Sequence, residues 1–170
     1  MTGRLKALCV FFVMYILLAC GCSQGGGAKQ LCTDFKAAYI AEYRGQSIKG
    51  RMLYGRQGNF NLTVSQPKTL EGIEAGYKNG VLTLSRDNIS CTADEAYIPD
   101  SAFPSVLLLV LKGIGDGRAV FEHKNGEEQT YSLACENGKC KIVAGTDGMI
   151  KSLSLDNPKL DVSFSGVTAI

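Results

Sequence analysis

The chain has 170 residues, with 18 Lys and Arg against 16 Asp and Glu, one His and no Trp, and 45% of its residues are hydrophobic. Arg4 and Lys6 both fall within residues 1–19, which hold no acid, so the remaining roughly 150 residues carry as many acids as bases. That length suits one domain with a buried core, and the even charge argues against the basic surface of a nucleic-acid binder and against a polybasic patch for an anionic membrane. With no net field to steer association, partners are expected to be recognised by shape and apolar contact.

In chain order, Arg4 and Lys6 are followed by an apolar run from Ala7 to Leu18 and then by Ala19-Cys20-Gly21. A basic start, a short apolar stretch and small residues describe a secretory signal peptide. An uncleaved transmembrane helix is the rival, but twelve apolar residues fall short of the ~20 needed to span. Leu17-Leu18-Ala19-Cys20 resembles the lipobox of bacterial lipoproteins, in which the cysteine receives diacylglycerol and the bond before it is cut. The resemblance implies a leader over 1–19 and a mature chain held by lipid at Cys20 on the extracytoplasmic face of a bacterial membrane. Cys22 is a poorer candidate, since Ala19-Cys20-Gly21 would be its lipobox. Gly21 is not the aspartate associated with inner-membrane retention, which fits an outer membrane or the membrane of a single-membrane cell.

Residues 20–30 read as a flexible tether, because Ser23-Gln24-Gly25-Gly26-Gly27 has no apolar side chain. Residues 31–170 are expected to form one domain. Lys29 to Tyr43 places Leu31, Phe35, Ala38, Tyr39 and Glu42 at spacings of three and four, the period of an amphipathic helix, with Gly45 as its stop. Period two then takes over: Ile48, Gly50, Met52 and Tyr54 alternate with Lys49 and Arg51, and Phe60, Leu62 and Val64 with Asn61, Thr63 and Ser65.

Asn79-Gly80, Asn125-Gly126, Asn137-Gly138 and Asp147-Gly148 each lie between strand-like runs and suit tight hairpins, which implies an antiparallel up-and-down sheet. Two-residue turns pair Tyr77 with Leu82, Ala75 with Leu84, Ile142 with Leu153, and, around Asn137-Gly138, Cys135 with Cys140, Leu133 with Ile142 and Tyr131 with Ala144. The Asn125-Gly126 register sends Val120 opposite Tyr131 and Phe121 to the other face, so that strand holds a bulge or Phe121 covers the second face. Leu160, Val162 and Phe164 alternate cleanly in the last strand. Between the hairpins, Phe103-Pro104-Ser105 leads into the wholly apolar Val106 to Leu111 and then Lys112-Gly113, which suits a deeply buried helix; a buried strand is the rival.

The elements together describe an α+β domain. Phe60 to Pro67, followed by Thr69-Leu70-Glu71-Gly72-Ile73 and by Asn79-Gly80-Val81-Leu82-Thr83-Leu84, resembles a strand, loop and hairpin of the lipoprotein-carrier-like (LolA/LolB-like) proteins. The resemblance implies an antiparallel sheet curved into an unclosed half-barrel, with one N-terminal and one central helix on its concave side and acyl chains held there. The chain shows no counterpart of the periplasmic carrier's basic residue, so a soluble shuttle is not implied.

Little catalytic chemistry is legible. His123 is the only histidine and so the only base for a hydrolase triad. Asp94-Glu95 and Glu127-Glu128 read as solvated pairs, and Gly113-x-Gly115-x-Gly117 as a flexible connector, since no Lys-Ser/Thr follows for a phosphate site. No zinc-ligand spacing is present, and no metal or cofactor is expected. Cys135 opposite Cys140 would lie within disulfide reach, the alternative being two small buried hydrophobes; Cys32 and Cys91 are unassigned. Three functions compete. The first is a lipid-anchored, non-enzymatic protein sheltering an acyl chain or another apolar ligand, its pocket lined by Met52, Phe60, Leu62, Val64, Leu82, Leu84, Leu107, Leu108 and Leu111. The second is a lipid-tethered scaffold whose core is filled and whose edge strands recruit an envelope protein. The third is an envelope hydrolase using His123. Cys20→Ser is expected to abolish incorporation of a clickable fatty acid and to release the protein from the membrane pellet. Labelling lost in Cys22→Ser instead would move the anchor.

Overall fold

The computed structural model describes residues 28–55, 58–97, 99–136 and 138–170. The leader, Cys20, Cys22 and Asn137 lie outside the described residues. Eleven antiparallel strands form one sheet: β1 (Phe35–Tyr43), β2 (Gln46–Tyr54), β3 (Phe60–Gln66), β4 (Glu74–Lys78), β5 (Val81–Arg86), β6 (Ile89–Asp94), β7 (Val120–Asn125), β8 (Glu128–Cys135), β9 (Gly138–Gly145), β10 (Ile150–Leu155) and β11 (Leu160–Ala169). Their spatial order is β6-β5-β4-β3-β2-β1-β11-β10-β9-β8-β7. The first and last strands therefore pair in the middle, and two meanders run outward from that seam to unpaired edges at β6 and β7. The one α-helix among the described residues, α1 (Phe103–Gly115), lies in the connection from one edge to the other. This is an unclosed half-barrel with a central helix.

The N-terminal helix is overturned. Phe35–Tyr43 is β1, with strictly alternating burial, and it is sandwiched between β2 and β11. Phe35 and Tyr39, four apart, satisfy a helical and a two-residue period alike. The deciding residues are Ala37, Ala41 and Tyr43, which turn inward, while Ala38 faces out. Two neighbouring strands supply ladder partners on both sides, and that tertiary pairing wins over a helical reading. Lys29 and Gln30, expected in the tether, are docked against the domain. The Lys29 amide donates to Gln129 Oε1 at 3.3 Å, the Tyr131 hydroxyl donates to the Lys29 carbonyl at 2.5 Å, and the Cys32 amide donates to the Gly148 carbonyl at 2.9 Å.

The hairpin registers follow the turn chemistry in two cases. Tyr77 faces Leu82, Ala75 faces Leu84, and Ile142 faces Leu153. The strand over Val120–Asn125 does hold a bulge, between Phe121 and His123, which puts Phe121 opposite Tyr131 with the rings edge to face at 5.6 Å. The β8–β9 register differs from expectation by two residues: Cys135 faces Gly138, Leu133 faces Cys140 and Tyr131 faces Ile142. A shift of two preserves which side chains face inward, so the hydrophobic pattern cannot discriminate between the two registers. It does separate the cysteines. Cys135 becomes the diagonal neighbour of Cys140, at about 7–8 Å, too far for the expected disulfide. Both thiols are free, as are Cys32 and Cys91, which lies on edge strand β6. Burial pushes the Cys140 thiol up to about 12 and raises that of Cys135, which disfavours the thiolate at both.

Helix α1 forms where an apolar run begins with a proline in its first turn and ends on a glycine. The helix stops two residues later than Gly113. Asp116 caps it, the Gly117 amide donates to the Ile114 carbonyl and the Arg118 amide to the Gly113 carbonyl, each at 3.0 Å. Gly117 takes the positive φ of +71° that this Schellman arrangement requires. Two of the three glycines of the expected connector are thus the last helical turn. Leu107 and Leu111 are fully buried against the sheet, and the ring of Phe103 sits between those of Tyr39 and Tyr43 at 5.9 and 5.8 Å. Tyr43 also donates a hydrogen bond to the Ser101 carbonyl, which ties the approach to the helix to the sheet centre.

Gly50 on the inner face of β2 makes room for that arrangement. A Cβ there would stand 1.8 Å from the Thr63 carbonyl oxygen and 2.8 Å from the Tyr39 hydroxyl, which itself donates to the Thr63 carbonyl at 3.3 Å. Because the nearest obstacle is backbone, Gly50→Ala is expected to cost about 3 kcal/mol in urea unfolding.

Candidate functional site

The concave face is where a ligand would meet apolar side chains, and α1 occupies most of it. Met52, Phe60, Leu62 and Val64 on β2 and β3, Leu82 on β5, and Leu107, Leu108 and Leu111 on α1 belong to one continuous core and are all buried. The sheet and helix therefore do bring eight of the nine expected lining residues together. They are brought together as packing, with their side chains filling one another's space. Leu84, the ninth, stands 37% exposed.

Leu84 lies on the wing formed by β4, β5 and β6, whose edge strand β6 is exposed along most of its length. Its concave side presents Leu82 and Leu84, with Ala93 and Cys91 opposite them on β6. From the helix side, Leu109 is 47% exposed. Between wing and helix lies a cavity of about 60 Å³, lined by Tyr77, Leu82, Leu108 and Leu109, with Glu95, Asp100 and Ser105 contributing polar groups. The Ser105 hydroxyl is buried there without a hydrogen-bond partner. Small-molecule sites commonly span about 300–1,000 Å³, so this cavity is closed to anything larger than a few methylene groups. Two further cavities flank the helix. One of about 150 Å³ lies beside Val106, Val110, Leu155 and Cys135. One of about 250 Å³ lies beside Ile114, Phe121, Tyr131 and the docked segment Lys29–Leu31.

Polar side chains pin the wing to the helix. Lys112 Nζ lies 2.7 Å from Glu95 Oε1 and 2.8 Å from the Tyr77 hydroxyl, and that hydroxyl donates to Glu95 Oε2. The ammonium also sits 4.6 Å from the centre of the Tyr77 ring. Asp94-Glu95 is thus not a freely solvated pair: Asp94 closes the β5–β6 ladder opposite Val81, and Glu95 latches the wing. Nothing in the local sequence marks this cluster, because its members come from β4, from the turn after β6 and from the last turn of α1. Hydrogen bonds from Lys112 and Tyr77 hold the Glu95 carboxyl below its usual range. Partial burial lowers the Lys112 ammonium, but the hydrogen bonds to Glu95 and Tyr77 outweigh it and leave the group raised.

His123 is exposed on edge strand β7, opposite Thr130, and its neighbour Glu122 is paired with Lys139. Glu128 pairs with Lys151 at 3.0 Å. Among the described residues, no three His, Cys, Asp or Glu side chains gather as a metal site, and no helix is long and apolar enough to cross a membrane.

No protein-family model and no curated protein matches the chain. Among solved structures it is similar to an uncharacterized conserved protein from Thermus thermophilus, with 10% identity over 83% of this chain and 81% of that one, at a TM-score of 0.53. A LolA superfamily protein from Nitrosomonas europaea aligns at 9% identity over 84% of this chain and 88% of that one, with a TM-score of 0.40. A DUF1329 family protein from Desulfovibrio piger aligns at 8% identity over 81% of this chain and 86% of that one, with a TM-score of 0.43. The likeness to the Thermus protein is one of fold, and what the two share is the overall course of the chain.

The latch has a pH signature. Glu95, with its carboxyl lowered from 4.5, adds stability above that value and loses it as pH falls through the folded-state pKa. Lys112, raised from 10.5, adds stability below that value and loses it as pH rises through its own. The stability gap between wild type and Glu95→Gln is therefore expected to be widest between about pH 5 and 10 and to shrink on both sides. For a half-exposed pair the gap is about 0.2–1 kcal/mol, readable from thermal midpoints across that range.

Proposed function

We propose that this is a lipid-anchored extracytoplasmic protein that shelters an acyl chain or another apolar ligand between α1 and the β4–β6 wing. The observation that carries the reading is the small cavity between wing and helix, where Leu82, Leu108 and the partly exposed Leu109 meet, with Leu84 exposed further along the same face of β5. The lipobox at Cys20 and the resemblance of the segment from Phe60 to Leu84 to lipoprotein-carrier-like proteins support it. Admission of a chain requires the wing to swing outward. Opening there breaks the partly exposed Lys112–Glu95–Tyr77 cluster, which contributes about 1 kcal/mol or less, and uncovers Leu82 and Tyr77 of the wing, whereas displacing the helix would expose Val106, Leu107, Leu108, Val110, Leu111 and Ile114 together, at about 1.5–3 kcal/mol for each large side chain.

A filled core favours a second reading, a lipid-tethered scaffold. Native mass spectrometry of residues 23–170, exported without the anchor and purified without detergent, separates the two. A co-purifying mass removed by lipid extraction is expected, and it should fall away in Leu108→Trp, which fills the cavity. A single apo mass, together with a stoichiometric protein captured from envelope extracts, would overturn the ligand reading in favour of the scaffold.

A further inference from the structure

The outer face of the same wing carries a different surface. Leu53, Asn61, Gly76, Thr83 and Thr92 lie in register across β2, β3, β4, β5 and β6. Their strand neighbours Met52, Leu62, Ala75 and Leu82 are buried, so the row points away from the core. Gly76 interrupts it. A Cβ at Gly76 would meet nothing within 4 Å, and its φ is not in the left-handed region. Neither close packing nor a turn demands glycine here, and glycine inside a strand costs stability.

What glycine does provide is a gap. Gly76 forms the floor of an open trough of about 580 Å³, far larger than any of the three cavities beside the helix and within the range of small-molecule sites. The walls carry the carboxamides of Asn59, Asn61 and Asn79 and the Thr83 hydroxyl, and Leu53 and Val81 add apolar surface, 40% and 36% exposed. Each carboxamide offers two donors and an acceptor. Lys78 is the one charged residue of the described lining, which holds no carboxylate.

We infer that this trough is a binding site for a neutral oligosaccharide. Three carboxamides around one trough match the donors and acceptors of ring hydroxyls and N-acetyl groups, while methyl groups and a bare glycine backbone suit the C–H face of a pyranose. A cationic ligand would find no carboxylate and an anionic one a single lysine. The trough opens on the opposite face of the wing from the apolar cavity and shares only Tyr77 with it, so the two readings are tested by separate variants.

The test is a titration of the 15N-labelled domain, residues 23–170, whose folded part spans both faces, with triacetylchitotriose and, separately, cellotriose. Saturable shifts confined to the amides of Asn61, Gly76 and Thr83 are expected with at least one of them. Gly76→Leu, which fills the floor, is expected to abolish them without lowering the thermal midpoint and without changing any co-purifying apolar mass. Asn61→Ala, which leaves the floor open, is expected to weaken binding about tenfold. Absence of shifts with both sugars up to about 10 mM, or shifts that neither substitution alters, would overturn the assignment.

Discussion

The packing of α1 across the concave sheet is the constraint on which the rest of the molecule depends. The two edges stand at opposite ends of an eleven-stranded sheet, and the segment that carries the helix joins them directly. A curved antiparallel sheet with one apolar face cannot leave that face in water, and α1 covers it with Val106, Leu107, Leu108, Val110, Leu111 and Ile114. The sheet in turn holds a helix that is apolar over most of its circumference and would not be soluble alone. Phe103 between Tyr39 and Tyr43 sets one end, and the Schellman turn at Gly117 sets the other.

The two meanders do not share the helix equally. On the β7–β11 side the chain leading into β1 is bound as well, through Gln129 and Tyr131, so that side is closed by two segments. On the β4–β6 side the strands are short, β6 is mostly exposed, and the closing contacts are polar and near solvent. Local stability should therefore fall from the β1–β11 seam outward to β6. The cavity between helix and wing and the outer trough both lie on or beside that less stable wing.

A free, exposed Cys91 on the edge of the wing and the more buried thiols of Cys135 and Cys140 complete the contrast. No disulfide holds the described residues together, so the domain relies on its core, and the central seam between β1 and β11 joins the two ends of the domain.

Much of this architecture was legible in the sequence because it rests on local rules. Alternation marked β2, β3 and β11, Asn-Gly and Asp-Gly marked the hairpins, and proline followed by an apolar run marked α1. The inward residues were readable even where the register was not, since a slip of two in β8–β9 leaves every side chain on its own face. Other features were decided by partners distant in sequence. Phe35–Tyr43 fits two periods, and only the flanking β2 and β11 make it a strand. Glu95, Lys112 and Tyr77 meet because the helix returns past the wing, which no spacing encodes. Whether the leucines of α1 line a space or fill it depends on how closely helix and sheet approach, and that distance is set by the whole core at once.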